Sequence, residues 1–93
     1  MAKFAVELVY VDDRERRLEA RPAHREHSRE LAARGVLLAG GPFADERGAL
    51  LIYEASDADE LQRVLDADPY VEAGVVAETI VREWTAITGS WLG

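Results

Sequence analysis

Residues 35–55 read GVLLAGGPFADERGALLIYEA, two apolar runs separated by a short polar turn. The run at 36–43 reads as a strand that ends in the break Gly40, Gly41, Pro42, and ALLIYEA at 49–55 reads as another. The DERG turn between them is too short for a crossover, so the two predict an antiparallel hairpin.

What flanks the hairpin decides the fold. Upstream, KFAVELVY at 3–10 alternates, with Phe4, Val6, Leu8 and Tyr10 on one side and Lys3, Ala5, Glu7 and Val9 on the other, which predicts a strand. The charged VDDRERRLEA at 11–20 reads as a connection. Pro22 fits the first turn of a helix, where its missing N–H costs nothing. That helix is expected over 22–34, with Gly35 where a left-handed cap is wanted. Downstream, Ser56 and Asp57 are capping residues ahead of Ala58, Leu61, Val64 and Leu65 at helical spacing, so a second helix is expected over 56–67. A helical turn, PYVEAG at 69–74, leads into VVAETIVREW at 75–84, a β-rich run long enough for the last strand. The tail TAITGSWLG at 85–93 carries no assignable pattern.

The order βαββαβ predicts the α+β class, specifically a ferredoxin-like sandwich with two helices on one face of a four-stranded antiparallel sheet. In the last strand Glu78, Ile80, Arg82 and Trp84 fall on one side and Ala77, Thr79, Val81 and Glu83 on the other, so neither side is wholly polar. Both faces are expected to pack against something. Two such sheets facing each other would form an intersubunit barrel, a dimeric α/β barrel, which makes a homodimer the expected state.

Length and charge narrow the function. The 93 residues make one domain, which on folding buries only about 60–65% of the unfolded chain's surface, so covering a further apolar face by association would add stability. Eighteen acidic residues against eleven basic ones give a net charge of −7, and basic residues mixed with acids, as in DDRERRLEA, argue against nucleic acid as a partner. The sequence has no cysteine, hence no disulfide framework and no thiolate nucleophile or ligand. Glu7 interrupts the apolar N-terminus, unlike a signal peptide, and no apolar run approaches the roughly 20 residues of a membrane span. No membrane partner and a cytoplasmic location are expected.

His24 and His27, the two histidines, lie in ARPAHREHSREL at 20–31. At 100° per residue both point toward the sheet or its rim, on a stripe whose one large apolar residue is Leu31. Such a stripe borders a cleft more readily than a tight core. A zinc site needs more ligands than two histidines, and only carboxylates are left to supply them, so no metal is expected. A partner for a histidine lies in DADPYVEAG at 66–74. Pro69 disfavours helical geometry at Asp68, placing Asp68 as an N-cap. An aspartate held rigidly at such a junction can also fix the tautomer and orientation of a histidine.

Three stretches, RPAH at 21–24, GVLLAGGPF at 35–43 and DADPYVEAGV at 66–75, resemble the YciI-like (YCII-related) family in their order on a βαββαβ plan. The resemblance spans nearly the whole chain. It implies a single YciI-like domain over 1–93, a dimeric α/β-barrel fold and a His-Asp catalytic dyad, which by motif position is His24 with Asp68. It also implies a small enzyme, since some relatives carry an aromatic-ring lyase or dehydrochlorinase activity. The chain departs from the pattern in having His27 and Ser28 where apolar residues are commoner, which suggests a more polar pocket. Its short loop at 43–49 argues against a lid there.

A carboxylate on one imidazole nitrogen leaves the other free to take or give a proton near neutral pH. That chemistry suits elimination, isomerisation or tautomerisation of a small cyclic or carbonyl substrate by a lyase, isomerase or dehydrochlorinase-like enzyme. Serine hydrolysis through Ser28 is a weaker option, because a mid-helix serine lacks an oxyanion hole. Arg21, one turn before His24, could hold an anionic group, while Gly40, Gly41 and Pro42 expose backbone for close approach; Tyr70 completes the expected substrate-binding set. No cofactor motif is present and none is expected. The alternative is a non-catalytic small-molecule-binding or regulatory dimer module, or a structural dimer in which His24 and Asp68 do not meet. The distance between those two side chains separates these cases.

Overall fold

The computed structural model describes residues 1–92. Its elements are β1 (Ala2–Tyr10), α1 (Arg14–Ala33), β2 (Leu37–Pro42), β3 (Gly48–Ala55), α2 (Ala58–Asp66), α3 (Pro69–Glu72) and β4 (Val76–Glu83), followed by a 3₁₀ turn at Ser90–Leu92. One four-stranded sheet has the order β2-β3-β1-β4, with every neighbouring pair antiparallel. This is the expected ferredoxin-like α+β fold.

Register sets the core, because a strand's side chains alternate between faces. Phe4, Val6 and Leu8 of β1 stand opposite Tyr53, Leu51 and Ala49 of β3, and all six are buried. Leu31 of α1 and Leu61 and Leu65 of α2 close over them. Asp57 starts α2 by accepting from the Glu60 N–H at 2.8 Å, and the amphipathic stripe behind it buries Leu61 and Leu65. Ala58, expected on that stripe, is exposed at its start.

The first helix differs most from the sequence expectation. It begins at Arg14, not Pro22, so the charged stretch read as a connection supplies its first two turns. Asp13 caps it by accepting from the Arg16 N–H at 3.1 Å. Pro22 then lies within the helix, where its missing N–H and its ring cost roughly 3 kcal/mol. Its side chain is exposed. At the other end Gly35 adopts φ 75°, and Val36 N–H bonds the Leu31 carbonyl at 2.9 Å, the left-handed termination its position predicts.

α1 packs on β2 and α2 on β3, leaving β4 outside the helical cover. Every residue of β4 beyond Val76 is exposed within one chain, so the packing expected for both faces of this strand is not supplied by the chain's own helices. The sheet face away from the helices also carries Leu50 and Ile80 in exposed positions. Among the described residues no helix is long and apolar enough to cross a membrane.

At Gly48 the backbones of β1 and β3 leave no room for a side chain: a Cβ there would lie 2.0 Å from the Leu8 carbonyl oxygen, a backbone atom that cannot swing aside. Gly48→Ala should therefore lower stability by about 1–3 kcal/mol, the scale of forced overpacking. Gly41→Ala, whose Cβ would meet nothing within 4 Å, is the control in urea melts. Equal stability of the two variants would refute the close approach.

Candidate active site

Asp68 closes α2's end and opens α3. Its backbone is extended, at φ −67° and ψ 126°, as a residue before proline prefers, and Pro69 takes the first helical position. Its Oδ1 accepts from the Tyr70 N–H at 2.9 Å, so it is the N-cap the sequence predicts. The same oxygen lies 2.8 Å from Nδ1 of His24, although the two residues are 44 apart in sequence. Asp68 is 4% exposed, and the half-buried His24 ring stacks on the Tyr70 ring with centroids 3.8 Å apart and planes 2° from parallel. Tyr70 in turn meets Tyr10 edge-on at 5.7 Å.

Two constraints thus hold the imidazole: stacking sets its plane and the carboxylate sets its rotation. An ionised carboxylate only accepts, so Nδ1 of the neutral ring carries the proton and Nε2 keeps its lone pair. His24 lines a cavity of about 250 Å³, below the roughly 300–1,000 Å³ usual for drug-sized ligands, so the space suits a small molecule. Leu37, Ala49 and Leu51 give the cavity apolar walls. A Cβ at Gly40 would come within 3.0 Å of the Leu51 side chain, another lining residue. Tyr10 adds a phenol whose pKa is raised, chiefly by burial, so its hydroxyl remains a donor at neutral pH.

Arg21, Gly40, Gly41, Pro42 and Tyr70, the expected substrate-binding residues, all line the cavity with His24, and Asp68 stands behind the ring. Ser28 lines it too; His27 lies outside, half-buried, with its Nε2 buried and unpartnered. Sequence reasoning missed Arg17 and Arg25, because it took the stretch before Pro22 for a loop and the basic residues for a scatter. On a helix that begins at Arg14, residues 17, 21, 24, 25 and 28 fall within about 100° of arc, a legible stripe. Arg17 is buried: it donates to the Glu46 carbonyl oxygen, has Nη2 3.5 Å from the Glu46 carboxylate, and stands 5.3 Å over the Tyr10 ring. Among the described residues no group of three or more His, Asp or Glu side chains could hold a metal ion.

A sequence profile of the YCII-related domain matches residues 2–85, so the chain belongs to the YCII-related family. Protein YciI of Escherichia coli O6:H1 is 32% identical, over 86% of this chain and 96% of that one. Derivative of benzaldehyde biosynthesis cluster protein C of Emericella nidulans is 30% identical, over 71% of this chain and 79% of that one. Among solved structures, 5-chloro-2-hydroxyhydroquinone dehydrochlorinase (TftG) from Burkholderia phenoliruptrix AC1100, in complex with 2,5-dihydroxybenzoquinone, is similar at a TM-score of 0.79 and 28% identity, covering 89% of this chain and 93% of that one. An antibiotic biosynthesis monooxygenase shares the fold alone, with a TM-score of 0.59 and 16% identity over 95% of this chain and 100% of that one.

The double role of Asp68 separates in two variants. Asp68→Asn keeps an oxygen for the Tyr70 N–H and should hold the melting temperature, whereas Asp68→Ala should lose about 1 kcal/mol or more with the cap. Nitrogen-15 NMR of the neutral His24 ring should show the Nδ1–H tautomer in the wild type and a loss of that preference in Asp68→Ala. An unchanged tautomer would mean that the contact does not orient the ring.

Proposed function

We propose that this member of the YCII-related family is a cytoplasmic, homodimeric acid/base enzyme of lyase, isomerase or dehydrochlorinase-like type, which takes a proton from a small cyclic or carbonyl substrate through His24. The observation that carries the reading is the 2.8 Å contact from Asp68 to Nδ1 of a histidine lining a small apolar-walled cavity. A binding module has no need of a fixed tautomer; a general base does.

In the proposed step Nε2 of His24 accepts the proton of an acidic C–H bond, and the electron pair released moves into a new double bond. In an elimination a leaving group such as chloride departs with its own bonding pair. In an isomerisation the displaced pair is protonated at another atom. Asp68 supports the imidazolium until the proton passes to product or water. The Tyr10 hydroxyl, kept protonated by burial, can donate to a substrate oxygen as negative charge develops there. No step requires a covalent enzyme intermediate.

Similarity to the dehydrochlorinase supports this substrate class, because its name places a chlorinated hydroxylated ring in that enzyme and its structure contains a dihydroxylated quinone. A cavity of about 250 Å³ is consistent with a small substrate. The exposed Leu50, Ile80 and Trp84 support the homodimer, in which apposed sheets would cover apolar surface that one chain leaves in water.

Halogenated hydroquinones and cyclic 1,3-diketones, followed by ultraviolet absorbance and by deuterium uptake at the acidic carbon, test the reaction. Once turnover or exchange is found, His24→Ala should lower its rate by roughly 10²-fold or more, and His27→Ala should change it little. Equal activity of His24→Ala and the wild type would overturn the proposal. Light scattering should give a dimer mass at micromolar concentration, and a monomer would remove the homodimer from it.

A further inference from the structure

Arg17 poses a problem that the proposed proton transfer leaves unsolved. Its side chain is only 9% exposed, yet its Nε is buried with no hydrogen-bond partner. A guanidinium out of water needs its donors matched, and an unmatched one costs more than a neutral amide would. The carboxylate it does meet, Glu46, is 53% exposed, is 3.5 Å away and is shared with Arg14 at 3.9 Å, a weak and solvent-screened arrangement. Glu46 also sits at φ 61°, in the left-handed region that a non-glycine residue rarely adopts, so the turn that supplies this partner is itself strained.

Arg17 does not stand alone. Arg21 and Arg25 line the same cavity, and among the described residues neither forms an ion pair. Three arginines therefore line a space whose one lining acidic residue is Glu46; Asp68 lies behind the His24 ring. In a protein of net charge −7, this concentration of positive charge on a single small apolar-walled cavity runs against the composition. Arginine is also the cation best suited to an oxyanion, since its planar fork matches two oxygens at once.

We propose that Arg17, with Arg21 and Arg25, forms an oxyanion-reading wall, so that the molecule bound beside His24 is a small ring compound already bearing an ionised oxygen, with Arg17 as the specificity-determining residue. The shared chemistry is an anionic oxygen on a flat apolar body, from either an acidic enol or a carboxylate. Along α1, Arg17 lies two turns before His24 and Arg21 one turn before it, so the anion binds toward the N-terminal end of the helix. The apolar body then lies against Leu37, Ala49 and Leu51, near His24. Glu46 occupies Arg17 when the cavity is empty and competes with the ligand for it.

The inference rests on the cavity being the substrate site proposed above, but binding tests it apart from catalysis. Calorimetric titration would use 2,5-dihydroxybenzoquinone for the acidic enol and benzoate for the carboxylate, each against its neutral methyl ether or ester. At least one anion should bind, more tightly than its neutral counterpart, more weakly as salt is added, and also in His24→Ala. Arg17→Met should weaken that binding by roughly tenfold or more, the scale of a lost charge-assisted hydrogen bond. Glu46→Gln should tighten it, which a merely structural Arg17–Glu46 pair would not do. If Arg17→Met does not fold, Arg21→Gln and Glu46→Gln carry the test, with opposite expected signs. Neutral and charged probes binding equally, or Glu46→Gln weakening the anion, would overturn the wall whatever His24 does. Tight anion binding together with an inert His24 would overturn the proposed reaction and leave the wall standing.

Discussion

One oxygen atom, Oδ1 of Asp68, holds the site together. It accepts the Tyr70 N–H at 2.9 Å and faces His24 Nδ1 at 2.8 Å, so the cap that starts a four-residue helix also turns an imidazole on another helix. So short a helix has little stability of its own and needs an end contact to persist. Once it is fixed, Tyr70 is fixed, and with it the surface on which His24 stacks. Pro69 contributes from the other side by confining Asp68 to extended backbone. Loss of that oxygen would therefore disturb the tautomer, the stacking and the short helix together.

The second constraint is α1, a helix that is weak by ordinary criteria. Of its 20 residues only Arg17 and Leu31 are buried, and Pro22 interrupts its backbone bonding. An apolar stripe would have made it a better core helix; instead Arg17, Arg21, His24, Arg25 and Ser28 share the face toward the sheet and leave a cavity beneath it. Stability has been given up along this face in return for a lined space beside a histidine. The Asp13 cap, the Gly35 termination and Leu31 hold the ends, where polar lining is absent.

These two constraints explain what was legible in the sequence. Strands follow from period-two alternation, and Phe4, Val6 and Leu8 identify their own buried face because the opposite positions include Lys3 and Glu7. Gly35 and Asp57 mark helix ends by chemistry that acts locally. The start of α1 was not legible, since DDRERRLEA lacks the apolar period that identifies a packed helix and Pro22 looks like a beginning. Arg17 was lost with it, whereas Arg25, inside the expected helix, passed as one of the scattered basic residues. Asp68 was legible as a cap from the proline after it, but its contact with His24 spans 44 residues, and the family resemblance rather than any local pattern paired them. The exposure of β4 on both sides likewise depends on where the two helices settle over the sheet, a tertiary outcome that alternation within one strand does not encode.

The cavity and the open sheet face are linked through the same shortage of apolar burial. A domain of this length has little apolar surface to spare, and here one of its two long helices contributes a single buried leucine while β4 contributes no fully buried residue. Burying a Leu or Ile side chain is worth roughly 1.5–3 kcal/mol, so apposing Leu50, Ile80 and Trp84 with their copies would restore several kcal/mol that α1 does not supply. A helix face committed to arginines and a histidine is easier to maintain in a chain that gains stability at a separate surface. The cavity and the exposed Leu50 and Ile80 lie on opposite sides of the sheet, so apolar residues can be strengthened on one without filling the cavity on the other.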